Sequence, residues 1–516
     1  MAQLSSDDRR AFERLATGPR SRWPEWAALS AYAVLVAWII PFHEPIADEA
    51  QAWQLARSLS LPSLFQTYIR YEASPGLWHF LLWILIRAHV SYTGLHWICG
   101  AIAVAATALL VFKSPLPRPL KLTLPFTYFL LYQYAVVARN YVLVPVFLYL
   151  IAWMWKRSPL AVALLLGLLA NVALHAAIIS GGLAVVYLFE QFRNGSIKES
   201  HRRRQLLICA LILLSLYGFA LWTAWPPHDL LNHIADTRRM QSPGTPSFVA
   251  KFVISLVMGI CPKPWWLSIP FWIAVAVWLH ARRSLFYLLP VLFFAIFCGE
   301  VSCGWWHAGL LIPLMTWLLW ITWPASGVKL PRRELLCSVV LLALAGEQIV
   351  WSAFAIHYDV YNAFSPDLAT SQFLRPLVQQ GATVTVTYFD DPYLHAYHSV
   401  GILPYFDHNI FINQPDSFWA WSSQNPTEEK FMAVLPSHPD VVVVEERLPG
   451  PDSPVNLQDP KAQILSQAGY RFTHMFCGSS PIGYLSAEKN CHLIFQRFVA
   501  VDTTSSASIE ASPAQK

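Results

Sequence analysis

The sequence predicts an α-helical polytopic membrane protein with about eleven transmembrane helices and a small C-terminal α/β extracytoplasmic domain. Three observations lead to this fold class. Of the 516 residues, 55% are hydrophobic and only 13% are charged, whereas a typical soluble domain is about 25% charged. The mean hydropathy is +0.41, and long apolar runs alternate with short basic segments. This composition argues against a soluble enzyme, a disordered protein and a nucleic-acid-binding protein.

The N-terminal segment, residues 1–25, is polar and is predicted to lie in the cytoplasm. Basic residues next to a first apolar run favour the cytoplasmic side of a membrane, and no small-residue pattern typical of signal cleavage follows them. The arginines of this segment are Arg9, Arg10, Arg14, Arg20 and Arg22. The first transmembrane helix is therefore predicted over residues 27–42.

Further apolar runs predict the remaining spans of a membrane domain over residues 26–355. They cover residues 93–112, 122–138, 142–155, 160–174, 176–192, 206–225, 265–279, 285–298, 305–323 and 335–354. The run 248–260 is short, and it is interpreted as an interfacial helix or part of a broken span. With this count, every strong basic cluster lies on one side, which predicts a multi-pass protein of the cell membrane, with the bacterial inner membrane favoured.

Residues 356–502 have a different composition and predict an α/β domain on the extracytoplasmic, periplasmic side. Short β-rich runs alternate with polar turns, and one segment has a helical pattern. The β-rich runs cover residues 382–389, 441–445, 470–476 and 492–498, the helical pattern covers 461–468, and the tail 503–516 is predicted to be disordered. Cys477 and Cys491 are the only cysteine pair in this domain, and whether they form a disulfide is left open.

The first external loop, residues 43–92, contains the adjacent acids Asp48 and Glu49. A helix is predicted to follow them and to lie on the bilayer surface. Its apolar face is Ala52, Leu55, Ala56 and Leu59. Asp48 is a candidate catalytic base with Glu49 beside it, because a carboxylate at the membrane edge can take a proton from an acceptor hydroxyl. The alternative is structural, with Asp48 as the helix N-cap and Gln51 completing a capping box.

The same loop contains a second group of candidates before another apolar run. Arg70, Glu72 and His79 are predicted to contact substrate near the bilayer surface. The apolar run is interpreted as a juxtamembrane helix, because an extra span would invert the later basic clusters. The alternative is that this segment only anchors the loop through Trp78 and Trp83.

Arg139, at the outer end of the predicted span 122–138, is a candidate for binding a lipid phosphate. Its planar guanidinium suits a phosphate at headgroup level, although a charged residue at a span end can also extend towards water for structural reasons. Tyr141 and His307 are further substrate-binding candidates at outer span ends, with packing as the alternative for the histidine.

The charge distribution favours an enzyme over a transporter or lipid flippase, which is the competing class. Transporters place ionisable residues near the middle of the membrane, often on broken helices. Here the predicted spans contain few acids, with Glu300 and Glu347 as exceptions, and the remaining charges gather at one interface. No Cys-x-x-Cys motif or cluster of histidine and cysteine indicates a zinc site, so no metal ligand is assigned.

These features resemble the GT-C superfamily of membrane glycosyltransferases, in particular the branch of dolichyl-phosphate-mannose protein mannosyltransferases and the bacterial lipid A aminoarabinose transferase. The resemblance rests on a cytoplasmic N-terminus, a single span and the acidic pair Asp48 and Glu49. It also rests on the Ser-Pro-Gly-Leu-Trp-His stretch at 74–79 and the Ala-Arg-Asn-Tyr stretch at 138–141. It covers the layout of residues 26–355 and implies a GT-C-like fold.

The resemblance implies transfer of a sugar from a polyprenyl-phosphate donor to an extracytoplasmic lipid, glycan or protein, with inversion at the anomeric carbon. The partners would be the bilayer, the lipid-linked donor and the acceptor, without nucleic acid. Asp48 matches the acid that acts as general base, and Arg139 would stabilise the leaving lipid phosphate. Many members carry an acid in the second external loop, where this chain has Asn140 and Tyr141. That departure weakens the case for a divalent metal, and metal dependence is left open.

Overall fold

A computed structural model of the protein describes residues 21–193, 200–228, 247–261, 263–301, 303–324, 332–388, 398–414, 428–448, 454, 457–482 and 485–498. Most of the predicted cytoplasmic segment 1–25 and the whole tail 503–516 lie outside the described residues.

The described chain is mostly helical, as predicted. The helices of its first half are α1 (Trp23–Ile39), α2 (Ala47–Ser58), α3 (Leu61–Gln66), α4 (Leu77–Arg87), α5 (Gly94–Lys113), α6 (Arg118–Thr123), α7 (Leu143–Met154), α8 (Pro159–Ala170), α9 (Leu174–Arg193) and α10 (Ser200–Ala224). Those of its second half are α11 (Phe248–Met258), α12 (Ser268–Ala281), α13 (Leu289–Glu300), α14 (Trp305–Ala308), α15 (Leu311–Thr322), α16 (Arg332–Tyr361), α17 (Asp367–Gln379), α18 (Glu428–Val434) and α19 (Pro460–Gln467).

Five helical segments in the described part of the chain are long and apolar enough to cross a membrane. They are Trp23–Phe42, Gly94–Lys113, Leu174–Arg193, Arg203–Ala224 and Leu335–Tyr361. The predicted number of about eleven spans is not confirmed. Helices such as α7, α8, α13 and α15 have 12 residues each, which gives a length of about 18 Å against a hydrocarbon core of about 30 Å.

The prediction of one continuous span over residues 122–138 is wrong. The chain there leaves α6 for a 3₁₀ turn at Leu124–Phe126 and a π-helical turn at Phe129–Gln133. Pro125 explains the break, since proline has no backbone N–H and its ring clashes with the preceding helical turn. The stretch is nevertheless buried, and the ring of Tyr128 stacks on that of Trp351 in α16 at a centroid distance of 4.2 Å. Apolar composition here reflects burial inside a helical assembly rather than a straight helix.

The C-terminal part contains a four-stranded sheet, which confirms the predicted α/β composition. Its strands are β1 (Val384–Tyr388), β2 (Val441–Leu448), β3 (Tyr470–Ile482) and β4 (Leu485–Arg497) in the spatial order β1-β2-β4-β3. β1 and β2 are parallel, and the other two pairings are antiparallel. The predicted helix 461–468 corresponds to α19.

Side chains of β2 alternate between two cores, as the period of two in a strand requires. Val441 and Val443 pack with Leu374 of α17, whereas Val442 and Val444 pack with Leu465 of α19. The sheet is therefore covered by helices on both faces. This explains why β2 is a continuous run of valines instead of an alternating pattern.

Cys477 and Cys491 form a disulfide, which answers the question that the sequence leaves open. The two residues are direct partners in the register of β3 and β4. The bond therefore joins two neighbouring strands of one hairpin.

The helix predicted at the acidic pair is present as α2 and contains both acids in its first turn, but its predicted position on the bilayer surface is wrong. Ala50, Trp53 and Ala56 belong to the same buried cluster as Val400 and Leu403 of the C-terminal part. The helix thus lies between the membrane-type helices and the C-terminal domain, because its short alanine side chains allow close packing on both sides. This arrangement packs the segment after the first apolar helix against the C-terminal domain.

Candidate functional site

Asp48 and Glu49 lie in the first turn of α2, and neither is its N-cap. The N-cap is Ile46, whose backbone N–H donates to Glu49 Oε2 at 2.8 Å. The structural alternative with Asp48 as N-cap and Gln51 as its partner is therefore wrong. Glu49 takes the glutamate role of a capping box because it stands three residues after the N-cap.

Glu49 is fully buried, and its carboxylate is held by three described contacts. Besides Ile46, the backbone N–H of Ala138 donates to Oε1 at 2.6 Å, and His96 Nε2 lies 3.0 Å from the same oxygen. Burial opposes ionisation, but the interactions with His43 and His96 lower the pKa of Glu49 below its usual value. A side chain with no exposed surface does not reach substrate in this conformation. The expected catalytic role for Glu49 therefore stays a prediction, and its described contacts are structural.

Asp48 faces a different direction and forms an ion pair with Arg139 Nη1. Adjacent residues of an α-helix point about 100° apart, which separates this carboxylate from that of Glu49. About one fifth of each side chain remains exposed, 19% for Asp48 and 22% for Arg139. The structure therefore joins the two residues that sequence reasoning selected for base and phosphate binding, and it leaves both accessible.

The surroundings of Asp48 raise its pKa despite the charge of Arg139. Burial raises the pKa of Asp48 above its usual value, the Arg139 charge opposes this, and the neighbouring charges of Glu72 and Glu49 add to the increase. A carboxyl group with a raised pKa accepts a proton more readily than an ordinary surface aspartate does.

Arg139 is positioned by the segment that follows the broken stretch. Its backbone is extended (φ −121°, ψ 164°) and precedes a 3₁₀ turn at Asn140–Val142. The Glu49 bond to the Ala138 N–H ties this segment to α2. The guanidinium carbon lies 5.3 Å from the ring centroid of Tyr141, within the range of a cation–π contact.

His307 belongs to the same surroundings through Tyr141. The two ring centroids are 5.6 Å apart, and the imidazole stacks on that of His175 at 3.8 Å. The Gly304 N–H donates to His307 Nδ1 at 3.0 Å, which fixes the ring orientation. The structure thus brings His307 of α14 next to Arg139 and Tyr141, which lie together at the 3₁₀ turn Asn140–Val142.

Glu72 and His79 are in contact, with His79 Nε2 2.8 Å from Glu72 Oε2. His79 lies in α4, which confirms a short helix after Gly76, and Glu72 ends the preceding 3₁₀ turn. Glu72 is close enough to Asp48 to raise the pKa of that carboxyl group. Both residues therefore lie beside the Asp48–Arg139 pair.

Arg70 contacts the end of α10 and not the Asp48–Arg139 pair. Its Nε–H donates to the carbonyl oxygen of Trp225, just after α10, at 3.0 Å. This bond satisfies a carbonyl beyond the C-terminal end of that helix. No described contact joins Arg70 to Asp48 or Arg139, so its substrate-binding role stays a prediction.

Sequence reasoning missed His43, His96 and Asp359. His43 Nδ1 lies 3.0 Å from Asp359 Oδ2, and its Nε2 lies 3.6 Å from Glu49 Oε2. His43, Glu49 and His96 place their ligating atoms within 4.8 Å of one another, and all three are buried. We call these three residues the buried histidine cluster. Their separation along the chain leaves no local motif that could have identified the cluster.

Glu44 connects this region to the C-terminal domain. Its Oε2 accepts a hydrogen bond from the backbone N–H of Ser365 at 3.1 Å. Arg57, at the other end of α2, donates to the Phe406 carbonyl oxygen at 2.6 Å. The C-terminal domain is therefore bonded to both ends of the segment that carries Asp48.

Comparison with protein-family models and with curated proteins finds no match for this chain.

Proposed function

We propose that the protein is an integral membrane glycosyltransferase of GT-C type that moves a sugar from a polyprenyl-phosphate donor to an extracytoplasmic acceptor. The observation that carries this proposal is the partly exposed Asp48–Arg139 pair. It combines a proton acceptor with a phosphate-binding cation, the two groups that such a transfer needs.

The position of the pair relative to the apolar helices supports a lipid-linked donor. Asp48 follows the end of the apolar segment Trp23–Phe42 by six residues. Its neighbour Glu49 contacts His96 in the first turn of the apolar helix α5. A donor whose tail lies among apolar helices presents its phosphate and sugar at their ends, where Arg139 is available.

In the proposed reaction, Arg139 binds the phosphate of the donor and the acceptor hydroxyl approaches the anomeric carbon from the opposite face. Asp48 takes the proton of that hydroxyl as the new carbon–oxygen bond forms. The bond between the anomeric carbon and the phosphate oxygen breaks, and its electron pair leaves with the polyprenyl phosphate. Arg139 stabilises the negative charge on that phosphate. A single displacement of this kind inverts the anomeric centre.

The ion pair of Asp48 and Arg139 can couple donor binding to base strength. A phosphate that draws the guanidinium away removes the charge that lowers the pKa of Asp48. The carboxylate then becomes a stronger base when the donor is in place. In the absence of donor, the pair holds both groups close to where they act.

The remaining polar groups of the site are assigned to substrate binding under this proposal. Tyr141 and His307 flank the cation that holds the phosphate, and the Glu72–His79 pair lies on the side of Asp48. Hydroxyl-rich sugars suit such mixed rings and carboxylates. The proposed orientation places this face outside the cytoplasm, and the Cys477–Cys491 disulfide is in keeping with an oxidising compartment.

The test is the composition of the cell envelope in a deletion strain that carries either the wild-type gene or the Asp48→Asn variant. Mass spectrometry of lipids, glycans and glycoproteins should show one sugar missing in the deletion strain and in the variant, with its lipid-linked donor accumulated. Asp407→Asn, which changes an exposed acid, is the matched control and should restore the sugar.

Full restoration by Asp48→Asn would contradict the proposed base. If the lipid-linked sugar instead disappears from the outer leaflet while transfer itself is intact, the competing class of flippase or transporter is favoured.

A further inference from the structure

The buried histidine cluster is a set of metal-ligand atoms that the proposed transfer reaction does not use. The side chains of His43 and Glu49 have no exposed surface, and that of His96 is 4% exposed. Histidine nitrogen and carboxylate oxygen are common zinc ligands, and two histidines with one glutamate form an established donor set. The composition therefore favours a transition metal over magnesium or calcium, which prefer oxygen ligands.

The distances between the ligating atoms agree with a metal ion between them. Zinc binds nitrogen and oxygen at about 2.0–2.1 Å in a tetrahedron, which separates its ligands by about 3.3 Å. Here His43 Nε2 lies 3.6 Å from Glu49 Oε2 and His96 Nε2 lies 3.0 Å from Glu49 Oε1. The three ligating atoms lie within 4.8 Å of one another. Small rotations of the side chains are enough to reach ligand geometry.

His43 is already oriented as a metal ligand. Its Nδ1 lies 3.0 Å from the Asp359 carboxylate, so a proton on Nδ1 can bond to Asp359 and Nε2 is the nitrogen that a metal would take. That Nε2 is buried and has no hydrogen-bond partner among the described residues, because Glu49 Oε2 at 3.6 Å is beyond hydrogen-bond distance. A buried nitrogen directed at a carboxylate without bonding to it indicates that a further group belongs between them.

A divalent cation bound by neutral imidazoles would balance the charges of the cluster. Glu49 and Asp359 bring two carboxylates into a buried region, and neutral imidazoles bring no charge. A zinc ion bound by Glu49, with Asp359 bonded to its His43 ligand, makes the group neutral overall. An uncompensated charge in such an environment is strongly unfavourable.

We propose that His43 Nε2, a Glu49 carboxylate oxygen and His96 Nε2 bind a zinc ion, with water as the fourth ligand. Binding requires the His96 proton on Nδ1, so that zinc replaces the hydrogen bond between His96 and Glu49. Asp359 is the outer carboxylate that orients His43. We expect the ion to hold these elements together and not to act in the transfer, because its ligands are buried while Asp48 and Arg139 are partly exposed.

Such an ion would join four elements that are far apart in the sequence. His43 follows the 3₁₀ end of α1, Glu49 lies in α2, His96 begins α5, and Asp359 lies near the end of α16. The ion would therefore fix the first turn of α2, which carries Asp48, against the ends of three apolar helices.

The experiment measures zinc in the full-length protein purified without a polyhistidine tag. Wild-type protein should contain about one zinc per chain, because three buried protein ligands surround a single ion position. His43→Gln, Glu49→Gln and His96→Gln should each lower the content by about tenfold or more, since each removes one of three protein ligands. His280→Gln, which changes an exposed histidine outside the cluster, is the matched control and should retain the zinc.

Asp359→Asn tests the orienting carboxylate separately. It leaves all three ligands in place and should weaken zinc affinity by about 10–100-fold, measured by competition with a chelator of known affinity. An unchanged affinity would show that Asp359 does not orient His43 towards a metal.

A second measurement keeps the proposal testable if the glutamine variants fail to fold. Chelation of wild-type protein should lower its melting temperature, zinc should restore it and magnesium should not. Cobalt added to the stripped protein should give the visible absorption of a tetrahedral site. The proposal would be overturned if wild-type protein contained no stoichiometric zinc and showed none of these responses. It would also be overturned if folded variants of the cluster contained as much zinc as wild-type protein. Neither readout depends on sugar transfer, so the proposed function can fail independently.

Discussion

Asp48 and Glu49 are neighbours in sequence with separate tasks in the structure. Glu49 is buried and holds Ile46, Ala138 and His96 together. Asp48 remains partly exposed beside Arg139. The buried acid determines where both members of the exposed pair lie, because it bonds the start of α2 and the residue before Arg139.

Substitution of Arg139 tests phosphate binding directly. Arg139→Ala should reduce sugar transfer by about 10²–10³-fold, the range for removal of one group that stabilises developing negative charge. Arg139→Lys should recover part of the rate, because it restores the charge without the planar two-pronged donor. The measurement is the initial rate of transfer as a function of the concentration of lipid-linked donor.

Arg204→Ala is the matched control for that series, since it removes the same charge from an exposed position in the basic segment of α10. It should leave the donor dependence unchanged. Equal donor dependence in wild-type protein and Arg139→Ala would mean that Arg139 only neutralises Asp48.

At the scale of residues, the sequence predicted Asp48 and Arg139 as separate candidates, and it missed their contact and the buried cluster. Asp48 and Arg139 follow from charges at the ends of apolar runs, a local signal that one sequence contains. His43 and Asp359 meet across 316 positions, and nothing local distinguishes either from an ordinary polar residue. Contacts of this kind depend on tertiary packing, which composition and periodicity do not encode.

Among the elements, α2 and the broken stretch after α6 differ most from their predictions. An amphipathic pattern predicts a helix at α2, but it cannot distinguish a bilayer surface from a protein surface. The pattern therefore does not predict that α2 packs against the C-terminal domain. Apolar runs do not identify where a helix breaks, and Pro125 was the available signal at 122–138. The strands of the C-terminal domain are easier to predict from the sequence, because runs of β-branched residues bounded by turn residues are typical of strands.

The disulfide in the hairpin of β3 and β4 leads to a prediction about the stability of this element. Its disulfide closes a loop with a sequence separation of 14, and a loop of about 15 residues gives a stabilisation of about 3 kcal/mol. Replacement of both cysteines by serine should therefore increase hydrogen exchange of the hairpin amides by about 10²-fold.

Reducing agent provides the control for the hairpin experiment. It should accelerate exchange in wild-type protein to the same extent and have no effect on the double serine variant. If exchange is the same in both proteins without reductant, the bond does not stabilise the hairpin.

For the whole molecule, the site lies where three parts of the chain meet. The segment that carries Asp48 contacts the ends of apolar helices, the rest of residues 43–92 and the C-terminal domain. Arg57 and Glu44 bond this segment to the domain above it. The proposed enzyme would thus receive its donor from the apolar side and its acceptor from the side of the C-terminal domain.

The most direct test of the central claim is sugar transfer by purified protein in liposomes. The donor and acceptor are those identified from the cell envelope, and the product is measured by mass spectrometry. Wild-type protein should form product with inverted anomeric configuration. Asp48→Asn should be slower by about 10²–10⁴-fold, the usual contribution of a general base, and Asp407→Asn should match wild type. An Asp48→Asn variant that transfers sugar at the wild-type rate would contradict the account.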